Sequence, residues 1–230
     1  MGEVAEVTVK TFPEHIFISD FDGTITRRDF FRVALEQLPA ECGRWWQAYE
    51  DGRLGHFEAL ARTFAELRIS LDQMDELLRA MEPEPELAHC CGQLEQNRWQ
   101  LVIASAGCAW YIQRLLSQHQ VNPTIYANPG TFSPSHGLRM TLPAGEFFTC
   151  PTTGVDKEAI ARHYLERGCT IAFAGDGRPD LKPALLAPPH LRFARGWLAE
   201  ELTRRQEGFL PFERWAEVVT HLPDSAAQPT

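Results

Sequence analysis

From residue 98 onward, short apolar runs alternate with helical stretches, and this alternation constrains the fold more than any other feature of the chain. Leu101 to Ala104, Thr124 to Ala127, Thr170 to Ala174 and Leu191 to Ala194 have the length and flanking turn residues of buried strands. Trp110 to Leu116, Asp156 to Glu166 and Trp197 to Arg205 have the spacing of amphipathic helices. Strands joined through helices pair in parallel, and a parallel sheet hides both faces, so an α/β core with helices on both faces follows. One earlier strand, His15 to Ser19, precedes a block of different texture. There the pattern is helical throughout: Asp29 to Leu38 closed by Pro39, Cys42 to Glu50 closed by Gly52, and His56 to Leu67. A further helix opens on Ser70-Leu71-Asp72-Gln73, the spacing of a capping box, and runs to Met81. After Pro83 and Pro85 comes Glu86 to Asn97. A helical block placed after a first strand reads as an insertion, giving a small helical cap over 27–97 and a core over 1–26 and 98–230. Thr131 to Pro143 reads as two short strands about the turn Pro134-Ser135-His136-Gly137, and the polar tail Pro223 to Thr230 as frayed.

Composition narrows the class of partner. With 230 residues, 44% hydrophobic and 23% charged, the chain has material for a sizeable core. Its formal net charge of -9 repels a phosphate backbone, so no nucleic-acid partner is expected, whereas a metal ion can still recruit a small anion. No run approaches a membrane span, and Glu3, Glu6 and Lys10 stand where a signal peptide needs an apolar stretch; the expectation is a cytoplasmic protein with no membrane partner. Cys42, Cys90, Cys91, Cys108, Cys150 and Cys169 lack paired metal spacing and read as reduced core thiols.

Ligands of open α/β sheets bind beyond the carboxyl ends of the strands, and those ends are where the polar residues fall. The first strand runs into Asp20-Phe21-Asp22-Gly23-Thr24, the next into Ser105-Ala106-Gly107, and a later one into Asp176, with Asp180 four residues on. Lys157 opens a helix between the last two. Residues i and i+2 of an extended chain point the same way, so Asp20 and Asp22 share a side. Clustered carboxylates ionise together only beside a cation, and an all-oxygen donor set of Asp20, Asp22, Asp176 and Asp180 suits Mg2+. Singly these motifs are ordinary: Asp22-Gly23 a turn, Lys157 a solvated helix residue, Asp180 a cap. Together and in this order they are equipment for phosphoryl transfer, with a nucleophile, an acid, a hydroxyl and an ammonium.

FDGTIT, the Ser of IASAG, Lys157 and GDGRPD in this order resemble the four motifs of the haloacid dehalogenase superfamily of phosphatases, over nearly the whole chain. The resemblance implies a Rossmann-like core with an inserted cap and hydrolysis of a small-molecule phosphomonoester through an aspartyl-phosphate. It implies Asp20 as nucleophile, Asp22 as acid and base, Ser105 and Lys157 on the phosphoryl oxygens, and Mg2+ held by Asp20, Asp176 and Asp180. Gly23, Thr24, Ala106 and Gly107 become candidate substrate contacts, and Arg62, with Arg27, Arg28 and Arg53, a candidate for gripping an anion from the cap. Leu191 to Leu198 and the small cap are similar to the phosphoserine-phosphatase-like branch, its methionine-salvage members above all. The chain departs from phosphoserine phosphatases at Gly23, Ala106 and Pro179, where those enzymes usually carry Ser, Gly and Asn. Asp29 stands where they place a Glu for the serine ammonium, which favours an uncharged enol- or keto-phosphate. Trp45 and Trp46 read as cap packing, and His56 and His163 as satisfied or surface residues. The rival readings are a phospho-receiver module, a degenerate phosphate-binding regulator, a phosphotransferase, and a phosphoserine or broad phosphomonoester phosphatase.

Overall fold

The computed structural model describes residues 12–224, so most of the polar tail read from Pro223 lies outside it. Six parallel strands form the sheet, in the order β10-β9-β8-β1-β2-β3: β1 His15–Ser19, β2 Trp99–Cys108, β3 Thr124–Asn128, β8 Thr170–Gly175, β9 Arg192–Ala194 and β10 Leu210–Pro211. Strand order reverses at β1. The chain first builds outward through β2 and β3, then returns to the other side of β1 for β8, which opens a crevice beyond the carboxyl end of β1.

Alternation within the strands divides the core into two. Phe17, Leu101, Ile103, Ala172 and Ala174 face one way, against α5 (Leu87–Gln96), α6 (Ala109–Gln118) and α10 (Trp215–His221). Ile16, Ile18, Val102, Ala104, Ile171 and Phe173 face the other, against α7 (Lys157–Leu165), α8 (Leu181–Leu186) and α9 (Gly196–Arg204). Phe17 stacks on Trp215 at 5.7 Å, and Trp215 Nε1 donates to Ser19 Oγ at 3.0 Å, anchoring the end of β1 from behind. Burial of such side chains is worth about 1.5–3 kcal/mol each.

The helical block folds as four cap helices, α1 Phe30–Leu35, α2 Gly43–Glu50, α3 His56–Phe64 and α4 Leu71–Ala80, followed by α5. The capping box is present at Ser70 and Gln73. Helix α1 stops short of Leu38 because its last turn tightens, with Gln37 N–H bonding to Ala34 O and Leu38 N–H to Leu35 O. Phe30, Phe31, Phe64, Met74 and Leu78 bury inward and join the sheet-face core through Phe21 and Ile25. Helix α5 packs Leu87, Cys90 and Leu94 against β2 and α10, so it lies in the core layer, whereas the sequence pattern grouped it with the cap.

Two linkers lead into and out of the cap side by side: Arg27 N–H bonds to Glu82 O, Arg28 N–H to Met81 O, and Glu84 N–H to Ile25 O. Two hairpins reach up from the core. The expected one, β4 (Gly130–Ser133) with β5 (Gly137–Met140), packs on the end of α3; the other, β6 (Thr149–Cys150) with β7 (Gly154–Val155), carries Thr152, whose carbonyl accepts from Phe57 N–H at 2.8 Å. Among the described residues no helix is long and apolar enough to cross a membrane, and all six cysteines are free thiols.

Candidate active site

Asp20 follows β1 directly, its N–H bonded to Ala174 O of β8, so two neighbouring strands fix its position. Lys157, the first residue of α7, is buried and lies 2.7 Å from Asp20 Oδ1 and 2.6 Å from Asp180 Oδ1. The other oxygen of Asp180 accepts from the N–H groups of Asp176 (3.1 Å) and Gly177 (2.9 Å), so Asp180 folds the loop after β8 around itself. Carboxylate oxygens of Asp20, Asp176 and Asp180 lie within 4.8 Å of one another. Burial pushes the Asp20 and Asp176 carboxyls up to about 8, the charge of Asp180 adding to the first and that of Asp20 to the second. Burial alone would lower Lys157, but Asp180 and Asp20 overturn it and hold the ammonium above its ordinary range. Three carboxylates facing one ammonium leave a deficit of positive charge that a hard, oxygen-seeking cation fits.

Gly23 makes this closeness possible. Its φ is +73°, and a β-carbon there would lie 2.4 Å from Asp176 Oδ2. The turn is held from beneath by Arg195, whose guanidinium donates to the carbonyls of Gly23 (2.6 Å), Thr26 (2.8 Å) and Glu213 (2.6 Å). Thr24 Oγ1 stands 3.5 Å from Asp176 Oδ1.

Asp22 has a different set of neighbours. Its Oδ1 accepts from Phe30 N–H at 3.1 Å, and its Oδ2 from Tyr111 OH at 2.6 Å and Ser105 Oγ at 3.3 Å. Its carboxylate oxygens are engaged by α1, β2 and α6, and the close carboxylate group consists of Asp20, Asp176 and Asp180, without the expected Asp22. Burial, then the charge of Asp29, pushes Asp22 up to about 7, against the bond from Tyr111. Ser105 Oγ also accepts from Gly107 N–H at 2.9 Å. Strand β2 therefore runs past the expected Ala104 and through Ser105, with an irregular register against β3 between Ala104 and Cys108. A β-carbon on Gly107 would meet Tyr111 OH at 1.8 Å, so glycine there admits the tyrosine.

These groups line a cavity of about 640 Å³ between the strand ends and the cap, within the range of small-ligand pockets. Asp20, Asp22, Asp29, Ser105, Ala106, Gly107, Lys157, Asp176 and Asp180 all border it. Asp29 caps α1 by accepting from Phe31 N–H at 2.6 Å, and burial pushes it up to about 6. Arg62 does not reach the cavity: it pairs with Glu58 and lies over Trp45 in a separate groove, because its face of α3 points outward. Trp46, read as packing, both packs on Phe31 at 4.3 Å and borders the cavity, as do Tyr49, His56 and Tyr111. Asn128, fully buried at the end of β3, donates to Ala106 O at 2.7 Å and Thr153 O at 3.2 Å, tying the last part of β2 to the second hairpin.

Over residues 17–185 the chain matches the family described as haloacid dehalogenase-like hydrolase. It is similar to the 2-hydroxy-3-keto-5-methylthiopentenyl-1-phosphate phosphatase of Exiguobacterium sibiricum, with 25% identity over 213 residues, 89% of this chain and 94% of that protein. The protein of the same name from Bacillus velezensis is also 25% identical, over 89% of this chain and 88% of its own length. A substrate-bound phosphoserine phosphatase shares the fold, with a TM-score of 0.62 at 12% identity, across 90% of this chain and 98% of that one. The matched span reaches from β1, past Ser105 and Lys157, through the loop bearing Asp176 and Asp180, and by it this chain belongs to the haloacid dehalogenase-like hydrolase family.

Proposed function

We propose that the chain is a Mg2+-dependent phosphomonoester hydrolase working through an aspartyl-phosphate on Asp20. The observation that carries the reading is the division of labour between two carboxylates two residues apart: Asp20 against Lys157, and Asp22 held apart by Tyr111, Ser105 and Phe30 N–H. An Asp20 oxygen attacks phosphorus as the bond to the ester oxygen breaks, and the proton for that leaving oxygen comes from Asp22. A carboxyl pushed up to about 7 is suited to hold a proton at neutral pH and then to take one. Asp22, now ionised, removes a proton from water; the water oxygen attacks phosphorus, the bond to Asp20 breaks, and inorganic phosphate leaves. Lys157 holds Asp20 in line and, with Ser105 Oγ and the Ala106–Gly107 backbone, faces the phosphoryl oxygens. Asp20 and Asp176, with Asp180, would hold Mg2+, which supplies positive charge to the phosphoryl group.

The substrate reading is 2-hydroxy-3-keto-5-methylthiopentenyl-1-phosphate. It is supported by the names of the two bacterial relatives and by Asp29, a short carboxylate of which one oxygen caps α1. With Mg2+ present, kcat/KM for this compound is expected to exceed that for phosphoserine by at least about tenfold, or about 1.4 kcal/mol in transition-state binding. Equal or reversed constants would leave a phosphoserine or broad phosphatase. No phosphate release from any phosphomonoester, or full activity after exhaustive chelation, would contradict the mechanism itself.

A further inference from the structure

His56 is the first residue of α3, at the point where the cap touches the core. Its backbone is pinned from below: Phe57 N–H donates to Thr152 O at 2.8 Å, and Gly55 lies against the same carbonyl. Its ring stands edge-on to Trp46 (5.8 Å, 72°) and Tyr49 (5.3 Å, 74°), and Trp46 in turn packs on Phe31 at 4.3 Å. All four rings border the cavity that holds Asp20, Asp22 and Lys157. Nδ1 of His56 is enclosed with no hydrogen-bond partner. An enclosed polar atom without a partner is destabilising, so a cap that keeps an imidazole here calls for an explanation.

Charged groups also border the cavity: Asp29, Arg32, Glu50 and Arg178. Glu50 accepts from Trp46 Nε1 at 3.0 Å, Asp29 accepts from Phe31 N–H, and Arg32 lies in the field of Asp29. Beside these charged groups, the rings of Phe31, Trp46 and Tyr49 and the imidazole form a continuous uncharged stretch of the lining. An orphan N–H is rarer than an under-satisfied acceptor, so the proton belongs on Nε2, and the ring becomes a single donor. Burial, and after it the charge of Lys157, lowers His56 to about 4, so the ring carries no charge at neutral pH.

We propose that His56 and the Phe31, Trp46 and Tyr49 rings form the specificity subsite of the cap, His56 Nε2–H donating to a carbonyl or hydroxyl oxygen on the substrate's carbon chain and the rings enclosing an uncharged apolar tail. The inference rests on the phosphatase reading and names the chemical class that the site prefers: phosphomonoesters of oxygenated, uncharged chains. Amino-acid phosphates gain nothing from these four side chains, because neither the rings nor an uncharged imidazole pairs with an ammonium or a carboxylate.

The test compares the proposed keto-phosphate with acetyl phosphate, which has no chain to reach the subsite, on the full-length protein with Mg2+. In the wild type the keto-phosphate is expected to have the higher kcat/KM. In His56→Leu that preference should fall at least about tenfold, mainly through KM, and His56→Gln, which keeps a donor near the position of Nε2, should recover most of it. An equal loss on both substrates in His56→Leu, or no recovery in His56→Gln with the fold intact by circular dichroism, would make His56 a structural residue and overturn the proposal. A wild type that hydrolyses acetyl phosphate without preferring the keto-phosphate would overturn this subsite alone, whereas one that hydrolyses neither would remove the phosphatase reading along with it.

Discussion

Asp20 and Asp22 stand two residues apart yet meet opposite surroundings, an ammonium for one and a phenol, a hydroxyl and a backbone N–H for the other. If this difference assigns their roles, Asp20→Asn should abolish turnover while the protein stays folded, since the amide keeps the shape and loses the attacking oxygen; retention of more than a few per cent of activity would reject Asp20 as nucleophile. Tyr111→Phe removes one bond to Asp22 and leaves the ring stacked on Phe30, so kcat should fall by roughly three- to tenfold, in keeping with about 1 kcal/mol for one hydrogen bond. Unchanged kcat would mean that Tyr111 merely packs. Asp20, Asp22, Ser105, Lys157, Asp176 and Asp180 were legible in the sequence because each follows an apolar run, opens a helix or lies within a turn of one that does. Tyr111, His56 and Asn128 were not. Their spacing is that of ordinary core or helix residues, and only the approach of α6, α3 and β3 to the strand ends gives them partners.

At the scale of elements, the cap is tied to the core by the paired linkers, by the Phe57–Thr152 bond and by one bidentate ion pair, Arg114 of α6 to Asp75 of α4 at 2.6 and 2.7 Å. The pair is partly exposed, so its removal should cost no more than about 1 kcal/mol of stability. Its place between cap and core predicts a larger effect on binding: Arg114→Met should raise KM by about two- to tenfold with kcat changed less. Steady-state kinetics beside denaturant unfolding would check this, and an unaltered KM would show that the pair does not hold the cap. The capping box of α4 and the hairpin about Pro134 to Gly137 were readable because their turn chemistry is local. The two-residue strands β6, β7 and β10 and the short helices α8 and α10 carry too few residues for a period to emerge. Helix α5 was visible as a helix, but its partners β2 and α10 are set by tertiary packing, which the helical texture of the preceding block concealed.

Across the whole molecule, the cluster at the strand ends makes stability depend on pH and metal together. Asp20 and Asp176, with an ordinary value of 3.8, are held up to about 8 in the folded chain. Their protons stabilise the fold fully below the ordinary value; as pH rises toward 8 the unfolded chain releases protons that the folded chain keeps, and stability falls. Metal-free protein should therefore lose Tm from about pH 4 up to about 8 and level off above that, at roughly 2–4 °C per kcal/mol for a chain of this size. Asp176→Asn should flatten the decline, and saturating Mg2+ should reverse it by binding the ionised carboxylates of the folded chain alone. An identical slope in all three samples would contradict the charge deficit at the site. The α/β class and the parallel sheet were legible from alternation, but the order β10-β9-β8-β1-β2-β3, which puts Asp20 at the switch point, is a pairing choice that no local pattern encodes. The central claim is that phosphorus passes through Asp20, and rapid acid quench of Asp22→Asn during turnover of an activated phosphomonoester, followed by peptide mass spectrometry, tests it most directly: the account predicts one phosphoryl group on the peptide bearing Asp20 and none in Asp20→Asn, whereas label on Ser105, or no covalent label with phosphate still released in a burst, would contradict it.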